Sequence, residues 1–172
     1  MVMLFYTHSF TAPLREFGVG KVKKRWYKVV FLPPELQATL PFKQYPRLRI
    51  DGEIGEMSLD NALMPTGDGR YYVIVAPRII KQYGLSLGDS VELRFRIADQ
   101  NWVEVPDALA RALEADPLVQ DAWNKLTAGK KRSLAQHVLS AKRAATQRKR
   151  VSEVIAAMLD YGADLRKRRA DQ

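Results

Sequence analysis

The chain has 172 residues, 47% of them apolar, enough to bury the core of one domain or of a small domain with an appendage and too many for general disorder. It has no cysteine, which excludes disulfides, thiolate metal sites and cysteine nucleophiles and fits a reducing cytoplasm. The formal net charge of +9 is unevenly placed: residues 129–172 hold 12 Lys and Arg against 4 Asp and Glu, residues 1–128 hold 16 against 15.

Residues 1–10 form a short apolar stretch without a basic leader and are interrupted by His8 and Ser9, so they do not read as a signal peptide. No stretch approaches the roughly 18–20 apolar residues of a membrane helix. From there to Val105 the grammar is that of strands and turns. Residues 8–14 alternate, with Phe10, Ala12 and Leu14 on one side. Residues 26–32 are a β-branched and aromatic run closed by Pro33 and Pro34. Leu48 and Ile50 share a face opposite Arg47, Arg49 and Asp51. The loop from Pro65 to Gly69 is expected to use glycine at positive φ, and a nearly continuous apolar strand follows at residues 71–76. A short helix over residues 78–83 ends at Gly84, and Gly88-Asp89 turns the chain into an alternating strand at residues 91–98.

Two of these stretches are versions of one unit. Val29 to Pro33 and Val73 to Pro77 are each strands ending in proline, followed by a helical turn and another strand. Proline stops a β-ladder because it lacks an N–H, and its fixed φ starts a helix. A duplicated unit of this kind closes into a pseudo-two-fold barrel with few exposed edges. The aromatics Trp26, Tyr27, Tyr71 and Tyr72 lie on these strands. They are expected to fill the barrel core rather than to stack bases.

After Val105-Pro106 the period changes to 3.6. Residues 107–115 place Leu109 and Leu113 on one stripe, and Asp116 caps a second helix with Pro117 at its first position. A third helix is expected over residues 130–145. Thr146 is expected to cap a fourth, residues 147–161, with Val151, Val154, Ile155, Met158 and Leu159 on one face and Gly162 as its end. The fold class is therefore α+β: a small pseudo-two-fold antiparallel β-barrel with a short helix (residues 1–105), then a C-terminal bundle of three to four α-helices (residues 106–162). Residues 163–172 are a basic tail expected to fray.

In order along the chain, several short motifs resemble a bacterial family. The helical part resembles the YdeI/OmpD-associated, or bacteriocin-protection, family through Val105-Pro106, Ala108-Leu109, Ala112-Leu113, Ala141-Lys142, Thr146 and Arg150-Val151. The front part resembles the small domain of unknown function often fused before it, through Ile50-Asp51-Gly52, Ala62-Leu63-Met64-Pro65, Gly67-Asp68-Gly69 and the run from Gly84 to Val91. Three positions depart from the family pattern. Ala145 and Gln147 stand where an acid and an arginine flank the threonine, and His137 stands where tryptophan is frequent. The resemblance implies a role in envelope stress or resistance to antimicrobial peptides, and no biochemical activity. The strand-proline-helix-strand unit is also similar to half of a swapped-hairpin AbrB-type barrel, a likeness of fold that licenses no function.

Catalytic and metal constellations are missing from the sequence. The only histidines, His8 and His137, lie in different parts of the chain, and no H-E-x-x-H, G-x-S-x-G or P-loop pattern occurs. The expectation is a non-enzymatic protein without metal or cofactor. The strongest candidate site is the basic cluster at the helix junction: Lys142, Arg143, Thr146, Arg148, Lys149 and Arg150. Free N–H groups at a helix start, with guanidinium and ammonium groups around them, suit an anion. The competing reading is that Lys142 and Arg150 brace the helices through Asp121 or Glu153. The cluster points to an acidic partner, either nucleic acid or an acidic protein. The alternatives are a DNA- or RNA-binding protein and a barrel that takes a small molecule under a helical lid.

Overall fold

The computed structural model describes residues 6–170, with side chains through residue 163. The first part of the N-terminal apolar stretch and the end of the basic tail lie outside the described residues. The chain divides into two compact units, Met1–Gln100 and Asn101–Gln172.

The first unit is one curled, wholly antiparallel sheet of seven strands in the order β1-β7-β4-β5-β6-β3-β2. These are β1 (His8–Pro13), β2 (Arg15–Val19), β3 (Arg25–Phe31), β4 (Leu48–Ile54), β5 (Met57–Pro65), β6 (Tyr71–Ile74) and β7 (Ser90–Ile97). The two edge strands, β1 and β2, are consecutive in the chain and meet at Leu14. That residue is fully buried, and its N–H donates to Asp89 O at 2.8 Å while its own carbonyl accepts from Gly88 N at 2.8 Å. One bent segment therefore runs along both edges and draws the sheet into a barrel, the arrangement that leaves fewest unpaired edges.

The pairing register carries the pseudo-two-fold relation. Ile50 pairs with Ile97, and Ile54 with Leu93, about a centre at Gly52↔Phe95. An offset of 43 positions maps Ile50 onto Leu93 and Ile54 onto Ile97, so each strand pairs with its own counterpart. β3 and β6 do the same: Val29 pairs with Ile74 and Val30 with Val73. Pro34 and Pro77, related by the same offset of 43, start α1 (Pro34–Gln37) and α2 (Pro77–Tyr83), with Pro33 as the N-cap of α1, and α2 stops at Gly84 in the left-handed conformation (φ 58°). At the centre of the relation, a Cβ on Gly52 would sit 2.6 Å from Arg94 O and 3.0 Å from Phe95 Cβ, so only glycine lets β4 and β7 approach there.

Alternation sorts the strands into two faces. Inward, Phe10, Leu14, Val30, Leu48, Ile50, Leu63, Val73, Leu93 and Phe95 join one buried cluster closed by Ile79 of α2. Outward, acids and bases face each other across the ladder: Arg94–Glu53 at 2.6 Å, Arg96–Asp51 at 3.3 Å and Arg49–Asp60 at 2.7 Å. The aromatic expectation needs correction. Tyr72 is buried, but Tyr27 and Tyr71 are only half-buried and Trp26 is 61% exposed. Trp26 lies on a stretch of β3 that reaches past the end of β6, where no core exists for it to join.

The second unit holds four helices: α3 (Asp107–Ala115), α4 (Pro117–Asn124), α5 (Ala128–Leu139) and α6 (Ala144–Ala170). Asp116 caps α4 by accepting from Leu118 N at 2.9 Å, with Pro117 at the first position. Leu109, Leu113, Val119, Trp123, Leu126, Ala135, Val138, Val151, Val154 and Met158 form its core. Four helix boundaries differ from the expectation, among them the end of α5, which stops at Leu139 with Ser140 as its C-cap and does not run to residue 145. α5 starts two residues early because Thr127, not a later residue, supplies its cap through Lys130 N. α6 starts at Ala144 and runs through Gly162 to Ala170, so Gly162 does not end it and the backbone of the basic segment is helical to that point. Gly162 is not among the glycines with positive φ. A glycine signals a helix end only when it adopts that conformation.

Candidate functional site

The junction between α5 and α6 is built by hydrogen bonds from α6 back to the end of α5. The last carbonyls of α5 have no partner within the helix. Arg150 supplies one: its Nη1 donates to His137 O at 2.8 Å and to Ser140 Oγ at 2.7 Å. Ser140 Oγ also donates to His137 O at 3.1 Å. Gln147 Nε2 donates to Ala141 O at 3.1 Å, beside a buried Ala141 side chain. His137 Nε2 and Glu153 Oε2 lie 2.9 Å apart. That bond, helped by the positive charges of Lys149, His137 and Arg150, holds the Glu153 carboxyl below the usual glutamate range. Asp121 is engaged elsewhere, with Lys125 one turn along α4 at 2.5 Å. Arg150 therefore does brace the helices, but through a carbonyl and a hydroxyl instead of Asp121 or Glu153.

The six candidate residues fall into three groups. Arg150 is partly buried and committed to α5. Thr146 is half-buried within the first turn of α6, not at its cap. Gln147 N bonds Arg143 O at 2.9 Å, which puts Arg143 at the capping position. Lys142, Arg143, Arg148 and Lys149 are exposed, and none makes an ion pair among the described residues.

The electrostatics of this arrangement are unfavourable for the free protein. The start of a helix carries about half a positive charge, and acidic residues are normally placed there. The first turn of α6 has none, while four cations surround it. The first N–H groups of the helix also lack intrahelical acceptors. An anion seated there relieves the repulsion and meets those donors. His137, Ser140 and Gln147 set this geometry together with Glu153; the first three were not singled out in the sequence as its scaffold, and Glu153 was expected to pair with Lys142 or Arg150 and not with His137. The Gln147 and His137 departures from the family pattern were the available signal. His137 bonds α5 to Glu153 of α6, and Gln147 ties α6 to the connection at Ala141.

Among the described residues no group of three or more His, Asp or Glu side chains is placed to hold a metal ion, and no helix is long and apolar enough to cross a membrane. No curated protein matches the chain. A family model for a domain of unknown function, DUF1905, matches residues 10–95, the barrel. A second, described as bacteriocin-protection, YdeI or OmpD-associated, matches residues 103–160, the helices. The chain belongs to the DUF1905 family, joined to a C-terminal YdeI/OmpD-associated domain.

Proposed function

We propose that this is a binding protein without a reaction of its own, whose helical unit engages an acidic partner in a stress or antimicrobial-resistance role. The observation that carries the reading is the start of α6: four exposed cations, no acid in the first turn and unpaired helix N–H groups. The description of the helical family, bacteriocin protection, supports the role. The lack of cysteine suits a reducing compartment such as the cytoplasm. The barrel interior is occupied by a contiguous apolar cluster drawn from most of the strands, which weighs against a small-molecule cavity there.

A retardation assay with duplex DNA, RNA and polyglutamate, at low and at physiological salt, tests this. Binding is expected at low salt, falling with a log–log slope of about −3.6 on duplex DNA for four cations. Replacing Lys142, Arg143, Arg148 and Lys149 by glutamate should weaken binding by an order of magnitude or more. No retardation of any polyanion at low salt, or equal binding by the charge-reversed variant, refutes the reading.

A further inference from the structure

The barrel unit, Met1–Gln100, holds 14 Lys and Arg against 10 Asp and Glu, and its positive charge is concentrated in one place. β3 pairs with β6 only at Val29, Val30 and Phe31, with one further bond from Val75 N to Lys28 O. Beyond Lys28 the chain continues as a two-stranded ribbon of β2 and β3 alone, in register from Glu16↔Lys28 to Val19↔Arg25. The ribbon and its turn hold Lys21, Lys23, Lys24, Arg25 and Lys28 against the single acid Glu16. The β4–β7 face of the same barrel matches Arg94 and Arg96 with Glu53 and Asp51. Among the described residues, none of the ribbon's cations has such a pair.

One face of the ribbon presents an aromatic platform. Trp26 lies opposite Gly18 and is 61% exposed. A Cβ on Gly18 would come within 3.2 Å of the indole and of Lys24 Cδ, so glycine provides the flat floor on which the ring lies. Lys24 Nζ sits 5.9 Å from the ring centroid. Trp26 and Lys28 share this face, about 6.8 Å apart along β3, and Lys24 lies just before the strand begins. Nothing in the core of the barrel requires an indole here.

We propose that this ribbon binds single-stranded nucleic acid, with Trp26 stacking on a base and the flanking lysines meeting the phosphates on either side. Base–aromatic stacking on a positively charged track is how single strands are held without sequence preference. A stacked duplex base offers no free face to the ring. A membrane would meet the tip of the ribbon, where fully exposed Val22 is the one apolar side chain between Lys21 and Lys23, whereas Trp26 lies back along β3 opposite Gly18. This inference concerns a surface on the barrel and is independent of the one at α6.

The test is fluorescence anisotropy of a labelled oligothymidylate of about 16 nucleotides, titrated with the full chain. Binding is expected at low salt, with a log–log slope of about −3.5 if five cations meet phosphates. Trp26→Ala should weaken it about tenfold or more, and Trp26→Phe only a few-fold, because a smaller ring still stacks. Reversing Lys21, Lys23, Lys24 and Arg25 to glutamate should abolish it. The glutamate variant at Lys142, Arg143, Arg148 and Lys149 should keep the Trp26 dependence. Absence of binding at low salt overturns the proposal. So does a Trp26→Ala variant that binds like the wild type, since charge alone then accounts for the complex. Ribbon-dependent binding to phosphatidylserine vesicles without binding to the oligonucleotide also overturns it.

Discussion

Arg150 separates a structural cation from the exposed ones around it, and its removal has a calculable cost. Arg150→Ala deletes two hydrogen bonds from a charged donor, to His137 O and Ser140 Oγ. Each such bond contributes about 1.5–3 kcal/mol when well sheltered. Arg150 is only partly buried, so water replaces part of the loss at both acceptors, and each bond falls to about 0.5–1 kcal/mol. Loss of a cation at the C-terminus of α5 adds about 0.3–1 kcal/mol. Together these give about 2 kcal/mol. For a unit of this length that corresponds to a fall of roughly 8–16 °C in the midpoint of the helical transition. Differential scanning calorimetry of the full chain reads it directly. Arg150→Lys keeps the charge but not the planar guanidinium that places Nη1 against both acceptors, and should lose about half as much. Lys149→Ala should leave the midpoint within about 0.5 kcal/mol of the wild type. If Arg150→Ala and Lys149→Ala shift the transition equally, Arg150 is not the clasp between α5 and α6.

Two further outcomes follow from the geometry. Gly52→Ala forces a methyl against Arg94 O at the centre of the β4–β7 pairing and should destabilise the barrel by about 2–3 kcal/mol, measured by urea denaturation. The Glu153 carboxyl, stabilised as carboxylate chiefly by its bond to His137, should titrate below the ordinary glutamate range in carbon-detected NMR. Its contribution is present above the unfolded-state pKa and is lost as pH falls through the lowered one. His137→Ala should return it toward the ordinary range.

Strands with one wet and one dry face were legible in the sequence, as were the continuous apolar runs of β3 and β6, whereas β2 and β5 were not. β1, β4 and β7 alternate cleanly because their outward residues meet solvent and their inward ones fill the cluster. β2 escaped notice because no residue of it is buried: the ribbon has no dry face. β5 escaped because Asn61 interrupts the series between Leu59 and Leu63. That side chain is tolerated because its Nδ2 donates to Ile74 O at 2.9 Å, a partner remote in sequence. Helix existence was readable from the stripe of Val151, Val154 and Met158, but the start of α6 was not. It has no side-chain cap to mark it, and Thr146 offered a false one. The basic cluster at α6 was visible as charge, whereas the part of Arg150 depends on where α5 ends. The ribbon's charge was hidden by averaging over 128 residues in which acids elsewhere cancel it; a short window over residues 21–28 reveals it.

The closure of the barrel by its first strand has a kinetic consequence. β1 finds its partner only in β7, 87 positions later at His8↔Phe95. At about 5–20 residues per second, ribosomal synthesis leaves β1 unpaired for roughly 4–17 s after it is made. During that interval Phe10, Ala12 and Leu14 have no sheet to cover them. Pairings this distant in sequence form late, because the intervening loop must close before any contact compensates for it. The step that completes the barrel is therefore the docking of its oldest segment, and the nascent chain is most exposed to aggregation just before β7 emerges.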